Sequence, residues 1–119
     1  YNLPAMMHCC GGFKPLIPSM IEAGLDGLHA LQPTCHDMDL ATLKAEFGDK
    51  MVLNGGVDSH HILIEGTPDL VCQKTREAID IMKTDGGCII SPSHDYVLEE
   101  TPLENVIAMY DTIHEYGTY

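Results

Sequence analysis

Apolar residues along this chain gather into short runs of strand length, separated by longer stretches in which they recur every three or four positions. That alternation is the pattern of strand-helix units built on a parallel sheet. Four units can be read. The first strand runs through Leu3, Ala5, Met6 and Met7, and a helix with Leu16, Ile17, Met20 and Ile21 on one face follows it as far as Gly24. Pro15 and Pro18 fit only near that helix's first turn. The second strand is read at about Gly27 to Leu31. Asp39 then caps a helix whose Leu40, Leu43 and Phe47 share a face before Gly48. The third strand covers Met51 to Leu53, and its helix opens with Thr67 as cap and Pro68 at the first position, with Leu70, Val71, Ala78, Ile79 and Met82 as its stripe. The last strand is Cys88 to about Ile90. Thr101 and Glu104 form a capping box around Pro102, starting a helix with Val106, Ile107, Tyr110 and Ile113 inward and ending near Gly117.

Four such units build either an open doubly wound sheet or half of an eight-stranded barrel, which takes about 250 residues when complete. A dinucleotide fold wants Gly-x-Gly-x-x-Gly between strand and helix. Neither Cys10-Gly11-Gly12 nor Asn54-Gly55-Gly56 supplies it. The expected fold is therefore α/β, half of a (β/α)8 barrel of the triosephosphate isomerase type, with residues 1–119 forming one partial domain.

A net charge of −12, from 18 acidic against 6 basic side chains, speaks against nucleic acid as a partner, because phosphate contacts need clustered Lys and Arg. No apolar run approaches the roughly 20 residues of a membrane span, so no membrane partner is expected. The five cysteines (Cys9, Cys10, Cys35, Cys72 and Cys88) are odd in number and irregularly spaced, a poor disulfide framework. An acidic cytoplasmic protein in a reducing compartment is the expectation. The first residue is Tyr1 and no signal peptide is visible, which reads as a piece of a longer chain.

In parallel α/β architectures the loops after the strands open on one face, where barrels carry their chemistry. Those loops hold His8-Cys9-Cys10, then Cys35-His36-Asp37, then Asp58-Ser59-His60-His61, and finally Ser93-His94-Asp95. Residues two apart at a strand end point the same way, so the His8 imidazole and Cys10 thiolate can share one metal ion, with a third ligand from another loop. The alternative is a structural strand-end pair. In a barrel the first and fourth of these loops face each other across the mouth rather than side by side. Asp58, after two glycines, is the best placed fixed carboxylate, and a turn-forming Asp is its simpler reading. His60 and His61 read equally well as solvent-facing loop residues. Cys35 and His36 form a possible second soft site but stay outside the core one.

The run His8-Cys9-Cys10-Gly11, Leu16-Ile17-Pro18 through Asp26, Leu53-Asn54-Gly55-Gly56-Val57-Asp58, Gly66-Thr67-Pro68, Ser91-Pro92-Ser93-His94 and Thr101-Pro102-Leu103-Glu104-Asn105 resembles the C-terminal part of the uroporphyrinogen decarboxylase superfamily. The resemblance implies a (β/α)8 barrel of which this chain is strands five to eight. One branch decarboxylates a tetrapyrrole without cofactor, and His94 matches its histidine in a Gly-His-Gly motif, although the neighbours here are Ser93 and Asp95. The other branch, corrinoid-linked methyltransferases, binds zinc through His-x-Cys and a later Cys. His8 and Cys10 match that pair, and His94 stands in place of the later Cys. A His8, Cys10 and His94 site would have three protein ligands and an open fourth position, the catalytic arrangement. With one thiolate instead of two it would act as a stronger Lewis acid.

The resemblance thus implies zinc-dependent methyl transfer with a corrinoid protein or a small-molecule methyl donor or acceptor as partner. The alternative is conversion of uroporphyrinogen to coproporphyrinogen, with a tetrapyrrole as ligand, His94 at the substrate and Asp58 supporting its loop. A third reading is an inactive fragment that self-associates into homo-oligomers, because a half barrel leaves two strand edges unpaired.

Overall fold

The computed structural model describes residues 2–118. Its first strand, β1, is Met6–His8, shorter and later than the sequence pattern suggests, with Leu3 exposed before it. A 3-10 turn at Lys14–Leu16 leads into α1, Ile17–Glu22. Ile17 is fully buried and Leu16, expected inward, is exposed. Strand β2, Gly27–Leu31, and helix α2, Leu40–Phe47, lie where the pattern places them, with the Asp39 side chain accepting from the Thr42 amide as N-cap.

Strand β3 runs over Val52–Val57, twice the expected length, because Asn54-Gly55-Gly56 continues the ladder instead of ending it. A π-helical turn, Ser59–Ile64, follows before α3, Pro68–Met82, which opens at Thr67 and Pro68 as expected. Strand β4 is Cys88–Pro92 and helix α4 is Leu103–Tyr116. The capping box is absent: Pro102 is the N-cap and no side chain bonds to the first turn. The inward face of α4 is Asn105, Met109 and Thr112, whereas Ile107 and Tyr110 are exposed.

The four strands are parallel in the order β1-β2-β3-β4. Strand residues of one phase, such as Leu28 and Leu53, are buried with Phe13, Ile17, Leu43, Phe47 and Met82 from the helix side. Residues of the other phase, Met6, His8, His29, Asn54, Ile89 and Ser91, are exposed or half-buried. All-parallel sheets normally have both faces covered. Helices cover one face of this sheet, and the other is the concave inner wall of half a barrel.

Candidate functional site

The ends of the strands gather titratable groups on that concave side. His8 ends β1, and its Nε2 lies 2.8 Å from Cys10 Sγ, as residues two apart on extended chain should. His8 is also in register with His29 on β2, so the two rings leave neighbouring strands on one side. Their Nδ1 atoms are 3.1 Å apart and their ring centroids 5.1 Å. Asp95, three residues beyond β4, brings Oδ1 to 2.8 Å from His8 Nδ1 and 3.4 Å from His29 Nδ1. Strands β1 and β4 are opposite edges of the sheet, so this contact spans the mouth: the loops that were expected only to face each other touch.

His29 and Asp95 are absent from the sequence-derived site. His29 lies inside a strand, and only the register with His8 makes it a neighbour. Asp95 comes into reach through sheet curvature, which the alternation of apolar residues does not encode.

His94, expected as both ligand and catalytic group, sits beside this cluster. The convergent donor atoms are those of His8, His29 and Asp95, and neither Cys10 nor His94 belongs to that set. The His94 ring packs edge-on against Tyr96 with centroids 4.6 Å apart, and its buried Nδ1 has no hydrogen-bond partner among the described residues. It borders a cleft of about 240 Å³ together with His29, Asn54, Ser91, Asp95 and Tyr110. Ser91 Oγ donates to Asn54 Oδ1 at 2.7 Å across that cleft's floor.

Asp58 occupies a separate place. Its Oδ1 accepts from the His60 and His61 amides at 2.7 and 3.0 Å, and its Oδ2 is 2.9 Å from His61 Nδ1. Burial pushes its pKa up, but the His61 ring and the two amides outweigh that and hold the carboxyl below its ordinary range. The same hydrogen bond and the carboxylate's charge raise the His61 imidazole. The carboxylate therefore caps the π-helical turn, and it lines a second cleft of about 250 Å³ with Leu40, Ala78 and Ile81. His60 and His61 are exposed, as one of their two readings has it. In the second loop the Cys35 thiol is 3.6 Å from Gln32 Oε1, which also accepts from the Gly11 amide at 2.9 Å, and His36 is exposed beside Asp37.

Half of a parallel barrel with imidazole, thiol and carboxylate groups at the carboxyl ends of its strands has the layout on which barrel enzymes build their sites. The profile of the family described as uroporphyrinogen decarboxylase (URO-D) matches residues 1–116, and the chain belongs to that family. It is 30% identical over 114 residues to a methylated-thiol–coenzyme M methyltransferase of Methanosarcina mazei, covering 90% of this chain and 26% of that protein. A solved structure, a methyltransferase from Methanosarcina mazei, superposes with a TM-score of 0.76 at 26% identity, covering 98% of this chain and 32% of the other. The chain thus spans roughly a quarter to a third of the length of these relatives. No helix among the described residues is long and apolar enough to cross a membrane.

Proposed function

We propose that the full-length protein is a zinc-dependent methyltransferase that works with a corrinoid protein in the cytoplasm, and that this chain is strands five to eight of its barrel. The observation that carries this reading is the His8–Cys10 pair, in contact at the end of β1 in a chain whose relatives are methyltransferases. One of those relatives is named for a methylated thiol and for coenzyme M, which supports a thiol as the methyl donor or acceptor here.

The donors suit zinc: imidazole and thiolate are among its ordinary ligands. Zinc held there supplies a Lewis acid that favours the thiolate form of a bound thiol. His8 anchors it, with Cys10 and His94 as the partners that the sequence pattern suggests. His94 and Tyr110 line the adjoining cleft, which would place a small substrate beside a metal held there. Asp58 supports the π-helical turn behind the third strand's end. Decarboxylation of a tetrapyrrole is the second reading, favoured by the unpartnered Nδ1 of His94 at the cleft wall.

The test is zinc analysis and methyl transfer from a methylated corrinoid to a thiol in full-length protein. His8→Ala is expected to lose the metal and to lower the transfer rate at least about 100-fold, beyond what loss of a group that merely supports a ligand causes. Unchanged zinc content and unchanged transfer would sink the proposal. Conversion of uroporphyrinogen to coproporphyrinogen without metal would favour the second reading.

Taken alone, residues 1–119 are expected to self-associate. Strands β1 and β4 each have an unpaired edge, and Met6 and Ile89 on the concave face are 50% and 47% exposed. Two copies pairing edge to edge would bury both, forming a closed homodimer. Sedimentation of the 119-residue chain as a stable monomer at micromolar concentration would contradict this.

A further inference from the structure

Building on the methyltransferase reading above, we propose that Asn54 binds the far end of the substrate. Its side-chain amide donates to an acceptor oxygen on a small thiol, and Ser91 is the positioning residue that fixes which way the amide faces.

Barrel interiors are normally filled by layers of branched apolar side chains. Where a complete barrel would carry such a layer, β3 and β4 turn Asn54 and Ser91 to the concave side, each half-buried. Asn54 lies inside its strand, with Leu53 and Gly55 paired to β2 and its own position paired to Ile89 on β4, so the ladder and not a loop holds it. An asparagine side chain carries two N–H donors and one acceptor oxygen. The oxygen is occupied: Ser91 Oγ donates to Asn54 Oδ1 at 2.7 Å, closer than its 3.1 Å approach to the Pro92 carbonyl oxygen. Asn54 Nδ2 therefore turns away from Ser91. Its one partner among the described residues is Met6 Sδ at 3.9 Å, a weak acceptor.

Asn54 and Ser91 both line the cleft of about 240 Å³, a space sized for a small molecule. An amide whose oxygen is tied down and whose nitrogen faces such a space is a fixed donor for an incoming oxygen, because donors taken out of water need an acceptor. Met6 fits this arrangement. It is paired with Gly27 on β2, and its terminal methyl lies 2.8 Å from where a Gly27 Cβ would be. The missing side chain lets Met6 reach across β2 to Asn54, where it offers an apolar surface to the carbon arm of a ligand.

Strand order sets the length of that ligand. His8 and Asn54 belong to β1 and β3, with β2 between them. Strands two apart are separated by roughly 9–10 Å, and both side chains reach into the gap. A sulfur beside His8 and Cys10 and an oxygen on the Asn54 amide are then joined by an arm of about two or three carbons. The ligand class is a short aliphatic thiol with a hydroxyl or a carboxylate at its other end, in preference to an alkanethiol of the same length.

The experiment is calorimetric titration of full-length protein with 2-mercaptoethanol, 3-mercaptopropionate and 1-propanethiol. Expected is tighter binding of the first two than of the third, by roughly 3- to 10-fold for the hydroxyl and roughly 10- to 100-fold for the carboxylate, as for hydrogen bonds to neutral and charged groups. Asn54→Leu should erase both preferences and leave 1-propanethiol binding unchanged, and in methyl transfer it should raise KM for the oxygen-bearing thiols with kcat held. Ser91→Ala should diminish the preferences and Ser91→Thr keep them, a contrast that a merely structural role for Ser91 would not produce. Asn54→Asp still accepts from Ser91 but has no N–H to donate, so it serves if Asn54→Leu fails to fold: 3-mercaptopropionate should become the weakest of the three ligands. Equal affinities for the three thiols in the unsubstituted protein would overturn the assignment, as would a carboxylate preference that survives in Asn54→Asp. The expected thiol preferences in a protein that holds no zinc and transfers no methyl group would instead overturn the functional reading and leave the role of Asn54 standing.

Discussion

Gly55→Ala is expected to destabilise the fold by about 2–6 kcal/mol, the sum of roughly 1–3 for a backbone conformation that side chains avoid and roughly 1–3 for overpacking. Gly55 has φ +131°, and an added Cβ would sit 2.5 Å from the Leu31 nitrogen and 3.0 Å from its carbonyl oxygen. Those are backbone atoms of the neighbouring strand, paired in register with Gly55, and cannot swing aside as a side-chain tip could. Relief requires β2 and β3 to separate at Leu31, at the end of the Leu28 to Leu31 stretch, which contains His29 and already shifts register. Gly24 provides the control: it also has positive φ, at +88°, but nothing lies within 4 Å of its Cβ position. Gly24→Ala should cost only the backbone part, about 1 kcal/mol. Urea unfolding of the two variants, compared at unchanged m, separates clash from strain. Equal midpoints would show that strand approach at Gly55 is unimportant.

The same glycines show where the sequence misleads. Asn54-Gly55-Gly56 has the composition of a turn, and glycine inside a strand is ordinarily a break. Here close approach of neighbouring backbone demands it, a requirement visible only once β2 is in place. The second unit was legible because its signals are local: Gly27–Leu31 is a short apolar run, and Asp39 with Leu40, Leu43 and Phe47 forms a cap and a stripe within three turns. Helix α4 carries two stripes of equal period, Leu103, Ile107 and Tyr110 on one face and Asn105, Met109 and Thr112 on another. Periodicity favours the more apolar. The core takes the other, because a buried asparagine there is hydrogen-bonded and the apolar stripe stays exposed.

For the site, the contacts between residues close in sequence were readable and the distant ones were not. His8 and Cys10 meet because strand geometry alone puts positions two apart together. His29 joins them through parallel register, and Asp95 through a sheet curved enough to bring one edge's loop to the other edge. Neither effect leaves a trace in residue spacing. Asp58 drew notice for the glycines before it, and the structure gives its carboxylate a local occupation as the cap of a π-helical turn that periodicity does not foresee.

Asn105→Asp is expected to cost about 3–5 kcal/mol at neutral pH, the range for leaving a buried charge without its partner. Asn105 is fully buried, and its Nδ2 donates to two carbonyl oxygens, Leu63 at 3.0 Å and Gly66 at 2.8 Å. Leu63 lies in the last part of the π-helical turn and Gly66 two residues beyond its end, so one amide ties α4 to the loop behind the third strand. A carboxylate of the same shape has no proton to donate and places negative charge against both oxygens. Protonation restores one donor, so the new carboxyl must titrate well above the roughly 3.9 of an unfolded aspartate. With its folded pKa raised, the variant is least impaired below about pH 4 and loses stability as pH rises through the folded value. Asn105→Leu, which introduces no titratable group, should cost about 1–3 kcal/mol with no such added pH dependence. Urea midpoints of both variants relative to the unsubstituted protein, at pH 4 and pH 7, provide the measurement. A penalty for Asn105→Asp that did not grow between these values would mean that the side chain reaches water, and that α4 is not fastened to the π-helical turn through this amide.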